Sequence, residues 1–193
     1  MTGPELRAGE PVTAAALAAA ASSWWQAEPD LLCREQQAMA TLAPELVWVS
    51  AGPGRWAGSA PIWPFERPAP PGLIDLLAGR RLELEVRYSH AFPMVAPKVW
   101  SINPQPTLEQ RMQHAWHVNG DGSLCLLGDA AVWTGRDPAA ELVIKAAGWF
   151  IEYLLLTDRR IEEMTNAGIA TNPCLDGLIT EAAGKTHRVQ PPR

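Results

Sequence analysis

The chain has 193 residues, about the length of one domain, and 47% of them are hydrophobic, enough to form a packed core. The formal net charge of −5 argues against a nucleic-acid module, which carries a concentrated basic face. The sequence has no run of about 18 apolar residues of the kind that spans a membrane, and no cluster of cations that binds anionic lipid. We therefore expect neither nucleic acid nor membrane as a partner.

The cysteines are few and odd in number: Cys33, Cys125 and Cys174. Their spacing matches no metal-binding motif, which favours a reducing compartment and at most one thiol of chemical interest. The alanine-rich stretch 14–21 follows two glutamates rather than a cluster of cations, so a signal peptide is not predicted. We expect a cytoplasmic protein that needs no metal.

The first part of the chain predicts a flexible lead and then helix. Residues 1–11 contain two glycines and two prolines and are expected to be flexible. Thr13 suits an N-cap, and the alanines after it favour a helix. A second helical piece is predicted from Asp30, just after Pro29, to about Thr41.

Strands are predicted in the next part of the chain. The candidates are residues 46–50, 55–65, 81–88 and 98–102. Segment 81–88 is the clearest because apolar and charged residues alternate along it, which indicates one buried and one wet face. The connections are short, so an antiparallel meander of about four strands is expected.

Residues 103–137 show no regular period, and a long irregular segment in a compact domain is typical of a functional site. Asp137 and Pro138 suit the N-cap and first position of a helix that ends near Thr157. A further helix is predicted over 159–167. Strands followed by helices indicate an α+β fold.

Three features lie close together in the irregular region and just before it. Phe92 to Val99 holds two prolines, four residues apart, in a strand-to-strand connection. His117 to Leu126 places Cys125 just after the turn-forming sequence Asn119-Gly120-Asp121-Gly122. Trp133 follows Cys125 by eight residues.

In this order and spacing the features resemble the ubiquitin-conjugating enzymes. In that family a Tyr-Pro-Phe-x-Pro-Pro-Lys-Val segment, similar to residues 92–99, precedes a His-Pro-Asn motif. A Gly-x-Ile-Cys-Leu sequence then holds the thioester cysteine, and residues 122–126 are similar to it. A tryptophan eight residues further on matches Trp133. The resemblance covers about residues 13–165.

The resemblance implies a ubiquitin-conjugating (UBC-like) fold and domain over residues 12–168, followed by a C-terminal extension over 169–193 without an assigned role. The expected order is an N-terminal helix, a four-stranded antiparallel meander, an active-site loop and C-terminal helices. His117-Val118-Asn119 lacks the family's central proline, and Asn119 precedes Cys125 by six residues instead of eight. Such departures resemble divergent bacterial members, which belong to ubiquitin-like conjugation operons in antiphage defence.

The implied activity is an acyl transfer. Cys125 would accept a ubiquitin-like protein as a thioester from an activating enzyme and pass it to a lysine amine, or another acceptor, of a protein substrate. A thiol suits this chemistry because the thiolate is a good nucleophile and the thioester is readily aminolysed. The chain itself would need no cofactor, since ATP is used by the activating partner.

Other residues receive supporting roles under this resemblance. Asn119, or a loop amide near Gly122, would stabilise the oxyanion, with His114 or His117 as residues that hold a related place to Asn119. Asp129 and Asp137 are candidates, by proximity alone, for a weak base that deprotonates the acceptor amine. Because the family uses its first helix to dock the activating enzyme, Trp24 and Trp25 are candidates for that surface.

Alternative interpretations remain open for the same residues. In one alternative Cys125, which lies between two leucines, is a buried structural cysteine. In another it forms a metal site with His114 and His117, although a fourth ligand is missing. The tryptophans, Trp133 included, are typical of core packing, and the two aspartates of turns or caps. Two alternative functions also remain for the chain as a whole. It is a catalytically inactive scaffold of the same fold, or a Cys–His hydrolase that pairs Cys125 with His114 or His117.

Overall fold

The protein is represented by a computed structural model, which describes residues 23–127, 133–166 and 168–186. In these residues a four-stranded antiparallel sheet packs with several helices, which confirms the predicted α+β class. No helix within these ranges has the combination of length and apolar character that crossing a bilayer requires. The predicted flexible segment 1–11 lies outside the described residues.

The elements follow in chain order. The helices are α1 (Trp24–Ala27), α2 (Pro29–Leu42), α3 (Leu73–Leu77), α4 (Leu108–Arg111), α5 (Ala140–Thr157), α6 (Gly168–Thr171) and α7 (Asp176–Thr186). The strands are β1 (Leu46–Val49), β2 (Arg55–Ser59), β3 (Glu83–Arg87) and β4 (Lys98–Asn103). Short 3-10 turns cover His114–Trp116 and Pro173–Leu175.

The sheet is the predicted meander. Its strand order is β1-β2-β3-β4, and all three neighbouring pairs are antiparallel. Trp56 lies opposite Val86, which in turn lies opposite Val99, and all three side chains are buried. Because side chains alternate between the two faces of a strand, the charged residues of β3 lie on the other face. The apolar face of the sheet therefore shares one hydrophobic core with α5.

The long helix α5 forms the centre of the core. Most of its residues are buried, and Val143, Ile151 and Leu155 have no exposed surface. A helix that is apolar on nearly all sides is a buried helix rather than a surface one. It begins at Ala140, so the prediction of Asp137 as its N-cap is wrong; the cap position belongs to Ala139.

The predicted helix over 159–167 is wrong, since the described residues there form turns. Arg159 has φ +55°, a left-handed conformation that ends α5 after Thr157. The chain then folds back and forms α6 and α7, which the sequence pattern did not indicate. Ile169 and Ile179 from this region are fully buried in the main core.

The proline-rich connection between β2 and α3 is held by Arg67. Its guanidinium forms a two-point ion pair with Asp176, with Nε to Oδ2 at 2.9 Å and Nη2 to Oδ1 at 3.0 Å. The same group donates to the carbonyls of Ile169 and Ala170. Arg67 thereby joins this connection to α6 and α7.

Replacing Arg67 by alanine is expected to lower the free energy of unfolding by about 2–3 kcal/mol, because two carbonyls and a carboxylate lose charged donors in a partly buried place. The measurement is urea denaturation monitored by tryptophan fluorescence. Arg136, which is exposed, provides the matched control, and Arg136→Ala is expected to change stability by less than about 0.5 kcal/mol. Equal effects of the two variants would contradict the role of Arg67.

Candidate functional site

Cys125 follows a short hairpin that is attached to the edge of the sheet. Val118 bridges Leu124 across the hairpin, and the Leu124 amide donates to the Val99 carbonyl of β4 at 2.8 Å. The Cys125 amide donates to the His117 carbonyl, also at 2.8 Å. The backbone of Cys125 is thus fixed, while its side chain is exposed. This exposure excludes the alternative of a buried structural cysteine.

The predicted turn closes the hairpin. The Asp121 carboxylate accepts from the Ser123 amide at 2.9 Å and from the Ser123 hydroxyl at 2.6 Å, which fixes the turn from within. Gly122 has φ +88°, a conformation that favours glycine. The Gly122 amide donates to the Asn119 carbonyl at 2.8 Å, so it is already used and is not a free donor toward Cys125.

Asp121 is tied to β4 as well as to the turn. Its Oδ2 accepts from Lys98 Nζ at 2.7 Å. The hydrogen bond from Lys98, followed by those from Ser123, holds the pKa of the Asp121 carboxyl well below its usual range. The hairpin before Cys125 therefore keeps a charged anchor throughout the neutral and mildly acidic range.

A pH titration tests this anchor. Because the folded-state pKa of Asp121 is depressed, its stabilising contribution is present above the unfolded value of about 3.9 and is lost only as the pH falls through the folded value. We expect the Ser123 amide resonance in the wild type to titrate at a lower pH than an ordinary aspartate does. Lys98→Met is expected to raise this midpoint, whereas Lys145→Met, on α5, leaves it unchanged. An unshifted midpoint in Lys98→Met would contradict the ion pair.

An open groove lies beside the thiol. It has a volume of about 280 Å³, and Cys125 forms part of its wall. Apolar side chains dominate it, with Lys98, Asn119 and Ser123 as the polar members. The remaining lining residues are Val95, Ala96, Pro97, Val99, Leu124, Leu126, Leu127 and Leu142. An open and mostly apolar groove accommodates an extended peptide better than a compact small molecule.

Trp133 fixes the segment that returns from the cysteine loop. Its indole Nε1 donates to the Pro93 carbonyl at 2.7 Å, and its ring lies 6.3 Å from that of Phe92. Gly135 follows with φ +72°, and a Cβ there would approach the Pro93 oxygen to 2.8 Å. The alternative interpretation of Trp133 as a packing residue is confirmed.

Asn119 lines the groove together with Cys125, but its amide is engaged within the hairpin. Nδ2 donates to the Ser123 hydroxyl at 3.0 Å and to the Leu124 carbonyl at 3.4 Å. The structure thus brings together the thiol and the amide that the sequence singled out. In this arrangement Asn119 supports the backbone next to Cys125, and its role at the oxyanion stays a prediction.

The rings of the two histidines, His114 and His117, lie beside each other. Their ring centroids are 6.2 Å apart; His114 is exposed and His117 is half-buried. Burial lowers the pKa of His117, which favours its neutral imidazole. In the described residues no hydrogen bond joins either imidazole to the Cys125 thiol, and neither ring lines the groove. The Cys–His hydrolase alternative therefore lacks its defining contact.

The structure also bears on the metal-site alternative and on the two aspartates, Asp129 and Asp137. Within the described ranges, no group of three or more His, Cys, Asp or Glu side chains is arranged to hold a metal ion. Asp129 lies outside the described residues. Asp137 is exposed and accepts from the Thr134 hydroxyl at 2.9 Å, a contact typical of a turn. Its role as a base stays a prediction.

The expectation that Trp24 forms a docking surface is wrong, because only 5% of this residue is exposed. Its ring packs 4.6 Å from that of Phe92 and 4.9 Å from that of Tyr88, and its indole donates to the Pro53 carbonyl at 2.7 Å. Trp25 is half-buried and donates to the Gly52 carbonyl at 3.1 Å. A docking role for Trp25 stays a prediction.

Sequence reasoning missed Glu35, a carboxylate with no exposed surface in the middle of α2. A signal was present: Glu35 lies four residues after Leu31 and four before Met39, on the apolar stripe of the helix. A charged residue on such a stripe is buried only when its oxygens have partners. Those partners, Tyr88 and Ala139, connect α2 to the end of β3 and to the N-cap of α5.

Comparison of the chain with protein-family models, with curated proteins and with solved structures gives no match. Its function is therefore inferred from the geometry of the site and from the motif resemblance.

Proposed function

We propose that this protein is a ubiquitin-conjugating-type transferase, which carries a ubiquitin-like protein as a thioester on Cys125. The observation that supports this most is the exposed thiol at the end of a rigid hairpin, opening on a groove suited to an extended chain. The order of helix, four-stranded meander, cysteine loop and long helix is compatible with the ubiquitin-conjugating fold.

The proposed reaction has two acyl transfers. The Cys125 thiolate attacks the carbonyl carbon of the thioester on the activating enzyme, a new C–S bond forms, and the enzyme's thiolate leaves. An amine of the protein substrate then attacks the new thioester, an amide forms, and Cys125 leaves as a thiolate. The amine's proton passes to solvent or to a nearby weak base, for which Asp129 and Asp137 are the proposed candidates.

The residues around Cys125 have distinct parts in this proposal. The groove would hold the extended tail of the ubiquitin-like protein, so that its carbonyl reaches the thiol. Asn119 would keep the hairpin backbone in place and, on rotation of its amide, donate to the oxyanion. No imidazole in the described residues is hydrogen-bonded to the thiol, so the described histidines do not form the Cys–His pair of a hydrolase with Cys125.

The setting of the reaction is part of the proposal. The motif resemblance points to a bacterial antiphage conjugation pathway with an activating enzyme and a protein substrate as partners. All three cysteines are free and exposed, a condition that a reducing cytoplasm maintains. A partner surface that includes Trp25, half-buried on α1, would receive the activating enzyme.

Thioester formation is the test. The protein is mixed with ATP and with the activating enzyme and ubiquitin-like protein encoded beside its gene, and the products are separated on non-reducing gels with and without thiol reductant. A reductant-sensitive adduct is expected, also in the Cys33→Ser, Cys174→Ser double variant. Absence of an adduct when the activating enzyme itself is charged would contradict the proposal; binding without loading would then indicate an inactive scaffold.

A further inference from the structure

The carboxylate of Glu35 is buried at the point where α2, the end of β3 and the start of α5 meet. Its Oε2 accepts from the Tyr88 hydroxyl at 2.8 Å and from the Ala139 amide at 2.9 Å. Its Oε1 lies 3.3 Å from Nη2 of Arg34. A buried carboxylate with these three donors is satisfied, so it connects the three elements at little net cost.

The Tyr88 contact fixes one wall of the groove. Tyr88 directly follows β3 and precedes the connection that contributes Val95, Ala96 and Pro97 to the lining. Burial, together with the nearby Glu35 carboxylate, raises the pKa of Tyr88 well above its usual value, so its hydroxyl remains a donor. The hydroxyl also accepts from Trp56 Nε1 at 3.1 Å, which fixes its orientation.

The Ala139 contact fixes a second part of the lining, at the start of α5. Ala139 is the N-cap of α5, and its carbonyl accepts from the Leu142 amide at 3.0 Å in the first turn. Leu142 lines the groove beside Cys125. Oε2 of Glu35 therefore holds two residues. Tyr88 precedes the connection that contributes Val95 to Pro97, and Ala139 precedes Leu142.

Arg34 adds a second tie from α2 to the chain that leaves the cysteine loop. Its Nη2 donates to the Gly135 carbonyl at 3.4 Å, and Gly135 packs against the Pro93 carbonyl. This tie reaches the same connection between β3 and β4 at Pro93, five residues after Tyr88. The contacts of Glu35 and Arg34 therefore hold the connection between β3 and β4 and the start of α5, and none of them is to the thiol itself.

We propose that Glu35 is a positioning residue that sets the spacing of the groove walls beside Cys125, and so determines how well an extended acyl chain reaches the thiol. The biological role of Glu35 rests on the proposed function. Its effect on the groove does not depend on that function, because the effect applies to any extended thioester that lies between the connection after β3 and the start of α5.

Two probes separate an effect on the groove from an effect on the thiol. Iodoacetamide alkylates Cys125 without occupying the groove, whereas a thioester of acetylated tetra-alanine with mercaptoethanesulfonate brings an extended chain that the groove can hold. Both reactions are followed by mass spectrometry in the Cys33→Ser, Cys174→Ser background, at a temperature at which circular dichroism shows each variant folded. The variants are Glu35→Ala, Glu35→Gln and Tyr88→Phe, with the exposed Glu66→Gln as control.

We expect Glu35→Ala to slow exchange with the peptide thioester about tenfold and to leave alkylation within about twofold, because a small displacement of a positioning wall is costly in rate. Glu35→Gln keeps an acceptor oxygen and is expected to restore most of the exchange rate. Tyr88→Phe removes only one of the two contacts of Glu35 Oε2, so its exchange rate is expected to lie between those of the wild type and Glu35→Ala. If Glu35→Ala does not fold, Tyr88→Phe is the variant that is compared with the wild type.

Two results would overturn the inference. In the first, exchange and alkylation fall together, which would assign the effect to the thiol. In the second, both rates stay unchanged in the Glu35 and Tyr88 variants while their melting temperatures fall, which would make Glu35 structural only. Neither result depends on whether the activating enzyme charges Cys125, so the inference and the proposed function can fail separately.

Discussion

Cys125→Ala is expected to abolish the reductant-sensitive adduct completely, while Cys33→Ala and Cys174→Ala retain it. The thioester needs a sulfur nucleophile, and alanine has none. Cys33 and Cys174 are also exposed, but neither lines the groove in which the acyl chain would lie. The loss is therefore specific to one of three accessible thiols. The measurement is the non-reducing gel, run with equal amounts of charged activating enzyme.

Cys125→Ser complements Cys125→Ala, because it distinguishes a thioester from an oxygen ester. An oxygen ester formed on the introduced serine hydroxyl would resist thiol reductant, whereas a thioester does not. The serine variant is expected to charge more slowly, because a hydroxyl is a weaker nucleophile than a thiolate. A reductant-sensitive adduct that persists in Cys125→Ala would assign the carrier to another cysteine and refute the proposed site.

Glu152→Ala is expected to lower the free energy of unfolding by about 3–5 kcal/mol, the largest effect on stability among these variants. Only 2% of Glu152 is exposed, and its carboxylate accepts from the Ile169 amide and the Thr165 amide, each at 2.6 Å. The Thr165 hydroxyl is a third donor at 3.1 Å. Removing the carboxylate leaves buried donors without partners at the start of α6.

Glu141→Ala is the matched control for this prediction. Glu141 is on the same helix but exposed in its first turn, so the free energy of unfolding is expected to change by less than about 1 kcal/mol. Urea denaturation of both variants gives the comparison. A loss below about 1 kcal/mol in Glu152→Ala would show that α6 is held by packing alone.

The sheet could be predicted from the sequence because its signal is local. Residues 81–88 alternate strictly between apolar and charged, and each connection in the meander joins neighbours in the chain. The structure shortens the predicted strand 55–65 to Arg55–Ser59, where Pro61 and Pro64 follow. Local alternation thus indicated the strands and their order, but proline limited one of them.

The C-terminal helices could not be predicted in the same way. α6 spans only four residues, and its start is satisfied by Glu152, a side chain from another helix. α7 packs through Ile179, while Arg67 holds its first residue from 109 positions earlier in the chain. Contacts of this kind have no periodic signal within the segment itself. Tertiary packing decides where these helices form.

The site could be predicted in part. Cys125 after a tight turn was identified from sequence because turn residues have local conformational preferences. The prediction for Trp24 was wrong because two adjacent tryptophans do not show which of them faces the core. Glu35 was missed because a buried carboxylate is explained only by distant donors, Tyr88 and Ala139 among them.

The contact between Arg67 and Asp176 also has a consequence for the time course of folding during synthesis. The meander and α2 are complete in the chain by Asn103, and the strand pairs join sequence neighbours, so strand pairing can begin before α5 is synthesised. The connection that holds Arg67 is synthesised among them, yet its carboxylate partner emerges much later. The growing chain therefore carries a guanidinium without this partner, next to Trp63 and Phe65, until Asp176 has left the ribosome.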